Sequence, residues 1–140
     1  MSHNAYYELY LHVVWRTKGS AALLRGHVEA AVHRFLKRKV RDTDGVYFHE
    51  VGGTEDHVHL AVHIAPTVEI AKWIGDLKGA CSHHVNHEVL EQKLLYWQNG
   101  YGVVSFGKNN LGFVLEYIRN QREHHRKYNT IDRLERIAFE

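Results

Sequence analysis

Hydrophobic and polar residues alternate near the start of the chain. Tyr7, Leu9, Leu11, Val13 and Trp15 interleave with Tyr6, Glu8, Tyr10, His12 and Arg16. A period of two sends successive side chains to opposite faces, so Tyr6 to Thr17 reads as one long strand. One face is apolar and the other polar and aromatic, which suits a sheet backed by helices on one side and open to a ligand on the other. From His27 to about Arg41 the period lengthens. Val28, Ala31, Val32, Phe35 and Leu36 fall at i, i+3, i+4, i+7 and i+8, the stripe of an amphipathic helix. Lys37, Arg38, Lys39 and Arg41 crowd its last turns, where cations complement the helix dipole.

Asp44-Gly45 marks a turn, after which Val46 to Val51 and His57 to Ile64 read as two strands joined through Gly52-Gly53-Thr54-Glu55-Asp56. Pro66-Thr67 is expected to open a second helix, with Thr67 as N-cap, Glu69 in the first turn, and Ile70, Trp73, Ile74, Leu77, Cys81 and Val85 as its buried stripe. Tyr101 to Phe106 reads as a short fourth strand. A last helix is expected from Asn110 to about Lys127, packing through Leu111, Val114, Leu115, Ile118 and Arg122, and the tail from Tyr128 to Glu140 has room for another helical turn or two. The order is β-α-β-β-α-β plus a helix. This is an α+β, ferredoxin-like antiparallel sheet with two helices on one face and a C-terminal helix added.

The chain has 140 residues with one proline and no Gly/Ser-rich linker, so a single domain spanning residues 1–140 is expected. A 44% hydrophobic and 24% charged composition excludes disorder. Cys81 is the one cysteine, so no internal disulfide framework is possible. No apolar run approaches a membrane span and no signal sequence follows Met1; the expected location is the cytoplasm. Eighteen basic residues against sixteen acidic ones leave a net charge of only +2, so a nucleic-acid partner would have to be met by a local patch. The abnormal count is thirteen histidines, the side chain that most often ligates metals and titrates nearest neutral pH.

Two constellations could carry chemistry. His57-Val58-His59 lies in a strand, so both imidazoles project to one face and can reach one ion, with His63 further along that face as a possible supporting partner. A polar strand face can also carry histidines without any ligand. Tyr117 and Gln121 are four apart on the last helix and stack on one side, flanking its apolar stripe. By themselves they could be a tyrosine bonded to a glutamine. Arg119, Arg122, His124, His125, Arg126 and Lys127 form a basic cluster beside Tyr117, either a solvated helix end or a phosphate-binding patch. Tyr6, Tyr10, Trp97 and Tyr101 could stack on bases. His83, His84 and His87 lack the cysteine or carboxylate spacing of a zinc site.

Taken together, H-hydrophobic-H on the third strand and Y-x-x-x-Q on the helix after the fourth strand resemble the single-tyrosine HUH transposases of small insertion sequences, the IS200-like family with its REP-associated relatives. Val14-Trp15-Arg16-Thr17-Lys18, His57-Val58-His59-Leu60 and Trp97-Gln98-Asn99-Gly100-Tyr101-Gly102 also match, and the resemblance covers nearly the whole chain. It implies a DNA transposase that cleaves and rejoins single-stranded DNA at hairpin-flanked element ends through a 5′-phosphotyrosine. Tyr117 would be the nucleophile, and His57, His59 and Gln121 the ligands of Mg²⁺ or Mn²⁺. Arg119, Arg122, Arg126 and Lys127 would contact DNA, and a homodimer would be the working unit. A phenol with a pKa of ~10 needs such a Lewis acid or a base to act as a nucleophile at neutral pH. Two alternatives stay open: a domesticated hairpin-binding protein that does not cut, and a related HUH nickase. The intact set of His57, His59, Tyr117 and Gln121 argues against the first. The spacing of His63, which does not extend the pair to a three-histidine pattern, argues against the second.

Overall fold

The computed structural model describes residues 5–138, so the ends of the expected domain and tail lie outside the described residues. The alternating N-terminal run forms β1, Tyr10–Arg16, which pairs antiparallel with β3, His57–Ile64, on one side and β4, Gly102–Phe106, on the other. Both registers begin at Tyr10, opposite His63 and Phe106, close to where β3 and β4 end. Of the four residues before it, Leu9 still accepts the Ile64 N–H at 3.0 Å, but none has a partner in either register, so β1 is shorter than its alternation suggests. β2, Val46–Gly53, covers the far edge of β3 and completes a four-stranded sheet of order β2-β3-β1-β4. This is the expected ferredoxin-like arrangement.

Helices α1, Gly26–Arg41, and α2, Ile70–His84, back one face. Leu11, Val13 and Trp15 from β1 and Val58, Leu60 and Val62 from β3 meet Val32, Leu36, Ile74 and Leu77 in the main core, with Cys81 buried and unbridged. Complete burial of a Leu, Ile or Val contributes about 1.5–3 kcal/mol relative to exposure, so this layer fixes the register of the strands that carry the site. α2 starts two residues later than expected. Pro66-Thr67 forms the middle of a turn closed by Val68 N–H to the Ala65 carbonyl at 3.1 Å, and Glu69, not Thr67, is the N-cap.

The opposite face is partly covered by α3, Leu111–Arg119, whose Val114 and Ile118 pack on Tyr10, Ala61 and Phe106. Its close approach depends on Gly52 of β2, where an added Cβ would lie 2.2 Å from the Ile118 carbonyl oxygen. The single helix expected to Lys127 is instead two. At Asn120, φ −111° and ψ 33° break the run, and α4 follows as Gln121–Arg126. The Asn120 side chain donates to the Glu116 carbonyl at 3.1 Å and to the Glu116 carboxylate at 2.7 Å, the local competition that makes asparagine a poor helix interior. Arg122, placed by periodicity on the packing stripe, therefore sits on α4 at the surface. The tail supplies one short helix, α5, Asp132–Glu135. Among the described residues no helix is long and apolar enough to cross a membrane.

Candidate active site

β3 turns His57 and His59 to the α3 side of the sheet while Val58 enters the main core. Both histidines are almost fully buried. Across the strand pair, Arg16 is opposite His57 and Val14 opposite His59, which places His12 on the same face, diagonal to His59. α3 delivers Tyr117, the kink at Asn120 redirects Gln121 and His125, and α5 brings Glu135. Gly102 on β4 makes room for this last segment, since a Cβ there would meet the Arg136 carbonyl oxygen at 1.8 Å.

These side chains converge. Gln121 Oε1 lies 3.3 Å from His57 Nε2 and 3.1 Å from His125 Nε2. Glu135 Oε1 lies 3.3, 3.2 and 3.4 Å from Nε2 of His57, His59 and His125. The ligating atoms of His57, His59, His125 and Glu135 fall within 4.8 Å of one another. Tyr117, flanking the stripe in the sequence reading, is fully buried. Its hydroxyl donates to Glu135 Oε2 and accepts the Ile131 N–H at 2.9 Å, and its carbonyl accepts the Gln121 side-chain amide at 3.3 Å. All of these groups come from one chain, so the two histidines, tyrosine and glutamine meet without a partner subunit.

The chemistry of the donor set fits a divalent ion. Imidazole nitrogens and an amide and a carboxylate oxygen are all ligands of first-row metals, and the two strand histidines are braced from behind as metal-binding histidines usually are. Asp56 Oδ1 and Thr54 Oγ1 each lie 2.8 Å from His57 Nδ1, and His12 Nε2 lies 2.7 Å from His59 Nδ1. Burial lowers the pKa of His59 and, with the neighbouring His59, that of His12 to about 3, so both rings are neutral. At His57 burial is outweighed by Glu135 and Asp56, and its pKa is raised. Burial likewise opposes ionisation of Glu135, but His57 and His59 hold its carboxyl far below the usual range. Burial and the Glu135 contact push the Tyr117 phenol up to about 12. The Glu135 carboxylate is placed to receive the proton of that phenol.

Other expected site residues are placed differently. His63 is not a supporting partner of the pair: its ring packs among Tyr7, Tyr10 and Tyr47 at the other end of the face. Arg119 pairs with Glu50, Arg122 with Glu29 and Glu55, and Arg126 and Lys127 with Glu123. Arg122 and Arg126 also line a cavity of about 520 Å³ with Arg16, Asp56, His57 and His125. Of the aromatics, Tyr6 is exposed, Tyr10 is buried, and Trp97 and Tyr101 are half-buried, Trp97 donating to the Lys78 carbonyl. His83 pairs with His87 and His84 stacks on Phe35, and among the described residues the three join no metal-ligand group.

A buried histidine pair, an amide and a buried tyrosine meet on a ferredoxin-like sheet, and comparison with known proteins gives the class. Residues 5–121 match the family described as Transposase IS200 like, and the chain belongs to that family. It is 29% identical over 117 residues to the transposase of insertion sequence element IS200 from Salmonella typhimurium, covering 80% of this chain and 76% of that protein. With the ISDra2 transposase TnpA of Deinococcus radiodurans it shares 26% identity over 122 residues, covering 84% and 86%. Among solved structures it resembles a candidate transposase from Deinococcus radiodurans, with a TM-score of 0.69, 23% identity and coverage of 86% and 96%. It also resembles a REP-associated tyrosine transposase bound to a REP hairpin, with a TM-score of 0.63, 12% identity and coverage of 89% and 74%. These two likenesses are of fold. The chain is a transposase by family, and transposases are DNA-cleaving enzymes.

Proposed function

We propose that this transposase cleaves and rejoins single-stranded DNA at hairpin-flanked ends, with Tyr117 as nucleophile. The observation that carries the reading is the meeting, within one chain, of the Tyr117 hydroxyl, His57, His59, Gln121 and Glu135. The phenol oxygen attacks the scissile phosphorus while the 3′ oxygen departs, leaving a 5′-phosphotyrosine and a free 3′-hydroxyl. The phenol proton passes along its hydrogen bond to Glu135, which hands it on to the departing 3′ oxygen, so the carboxylate is restored. The reverse reaction with a new 3′-hydroxyl rejoins strands, because the phosphodiester energy is kept in the tyrosyl ester. Mg²⁺ or Mn²⁺, held by His57, His59 and Gln121 with His125 and Glu135 in reach, would supply the Lewis acid that polarises the phosphate.

Arg16, Arg122 and Arg126 line the cavity beside His57 and are the proposed contacts to the flanking backbone, and Arg119 and Lys127 are proposed as further DNA contacts. The carboxylates now paired with Arg119, Arg122, Arg126 and Lys127 are no obstacle, since exposed ion pairs contribute only about 0–1 kcal/mol and yield to a phosphate. The hairpin in the REP-associated relative supports hairpin DNA as substrate. The proposed working form is a homodimer of one-domain chains (residues 1–140) in the cytoplasm.

The test is incubation with labelled single-stranded DNA from the flanks of the encoding gene, with and without Mn²⁺, followed by denaturing electrophoresis. A Mn²⁺-dependent protein–DNA adduct and a shortened strand are expected. Binding without adduct under all conditions would leave only a hairpin-binding protein.

A further inference from the structure

His12 is a completely buried histidine that neither holds the proposed metal nor meets the nucleophile. Its ring lies 4.9 Å, centroid to centroid, from that of His59, with Nε2 at 2.7 Å from His59 Nδ1. Its other nitrogen, Nδ1, has no side-chain partner and nothing beyond the residue's own backbone to bond. Two neutral imidazoles at this distance share one proton, so one ring donates and the other accepts. His59 can offer a lone pair from Nε2 toward Gln121, Glu135 and His57 only when its own proton sits on Nδ1, and that proton needs an acceptor.

We propose that His12 is the positioning residue of this site, the acceptor that fixes His59 in the tautomer whose Nε2 is free to bind a cation. It does for His59 what Asp56 and Thr54 do for His57. A carboxylate could do the same, but at this fully buried position an imidazole accepts without introducing a charge that would need compensation. The residue lies on the central strand, two positions from the residue paired with His59, so the sheet register sets the hydrogen bond. In the metal-bound arrangement His12 keeps its own proton on Nδ1, and no proton is lost from the pair.

This inference rests on the metal-site reading, and its test separates the two. Mn²⁺ binding is measured by electron paramagnetic resonance on the whole protein, alongside thermal melting, for the unsubstituted chain, His12→Phe and His12→Gln. The phenylalanine keeps the ring and removes the acceptor; the glutamine restores an acceptor at the position of Nε2. The expected result is a loss of affinity of roughly ten- to a hundredfold for His12→Phe, the usual range for losing a hydrogen-bond partner of a metal ligand, with most of it recovered in His12→Gln. In ¹⁵N spectra of the Zn²⁺-loaded protein, His12 Nε2 is expected to be unprotonated. A protonated Nε2, or equal affinity in a folded His12→Phe, would overturn the role of His12 while leaving the metal site standing. No Mn²⁺ binding by the unsubstituted protein would overturn both.

Discussion

The sheet face turned away from α1 and α2 carries histidines at both ends. At one end His57 and His59 meet Gln121, His125 and Glu135 and are braced by Asp56, Thr54 and His12. At the other, His49 and His63 lie with ring centroids 6.3 Å apart among Tyr10, Tyr7 and Tyr47. Their Nε2 atoms are buried without partners. His63 and His59 share a strand and a face, yet only His59 has polar partners on both of its nitrogens. A cluster of imidazoles becomes a site when distant segments bring oxygen donors to it and orient its rings. Neither abundance nor spacing achieves that.

The sharpest way to break the comparison is to remove one histidine from each end. His59→Ala is expected to abolish DNA cleavage, exceeding the roughly hundredfold that loss of an outer partner costs, whereas His63→Ala leaves cleavage unchanged. Quantified adduct gels check this, and equal losses would mean the two ends act as one site. Next, Glu135→Gln removes the carboxylate shared by three imidazoles and the Tyr117 hydroxyl. Leaving buried partners uncompensated typically costs about 3–5 kcal/mol, so a clear drop in unfolding free energy is expected. The Tyr117 phenol, no longer facing that carboxylate, should titrate below its present value of about 12 in an ultraviolet pH titration.

A smaller effect concerns pH. Burial depresses the His12 pKa from 6.5 to about 3, so the unfolded chain takes up this proton first as pH falls. The stability from neutral His12 is therefore complete above pH 6.5 and drains away below it, by up to about 1.4 kcal/mol per pH unit. His59 adds to this trend and His57, raised by Glu135 and Asp56 against its burial, offsets part of it. Denaturant melts between pH 7 and 5 are expected to show a shallower decline for His12→Gln than for the unsubstituted protein. The smallest effect is expected for Arg122→Ala, which should weaken binding of hairpin DNA and reduce the salt slope by about one. An unchanged slope would place Arg122 away from the phosphates and leave it as the tie between Glu29 and Glu55.

The contrast also shows what the amino-acid sequence makes legible. Period-two alternation in β3 puts His57 and His59 on one face, and the i, i+4 relation of Tyr117 and Gln121 points both to one side of a helix. His125 continues that series at i+8 and was readable in principle; amid a run of basic residues it reads equally well as part of a charged helix end. The kink at Asn120, which turns Gln121 and His125 inward, follows from a side-chain bond to Glu116 that periodicity does not register. His12 becomes significant only through the β1–β3 register, and Glu135 only through the docking of a four-residue helix with no amphipathic pattern of its own. The placement of His63 errs for the same reason: a shared face says nothing about which segments cover each part of it.

The central claim is that Tyr117 attacks a phosphate held at the histidine cluster. It is tested most directly by digesting the Mn²⁺-dependent protein–DNA adduct and locating the nucleotide-bearing peptide by mass spectrometry. The account predicts the modification on Tyr117 and no adduct from Tyr117→Phe, with hairpin binding retained. An adduct carried by any other residue, or undiminished in Tyr117→Phe, would contradict it.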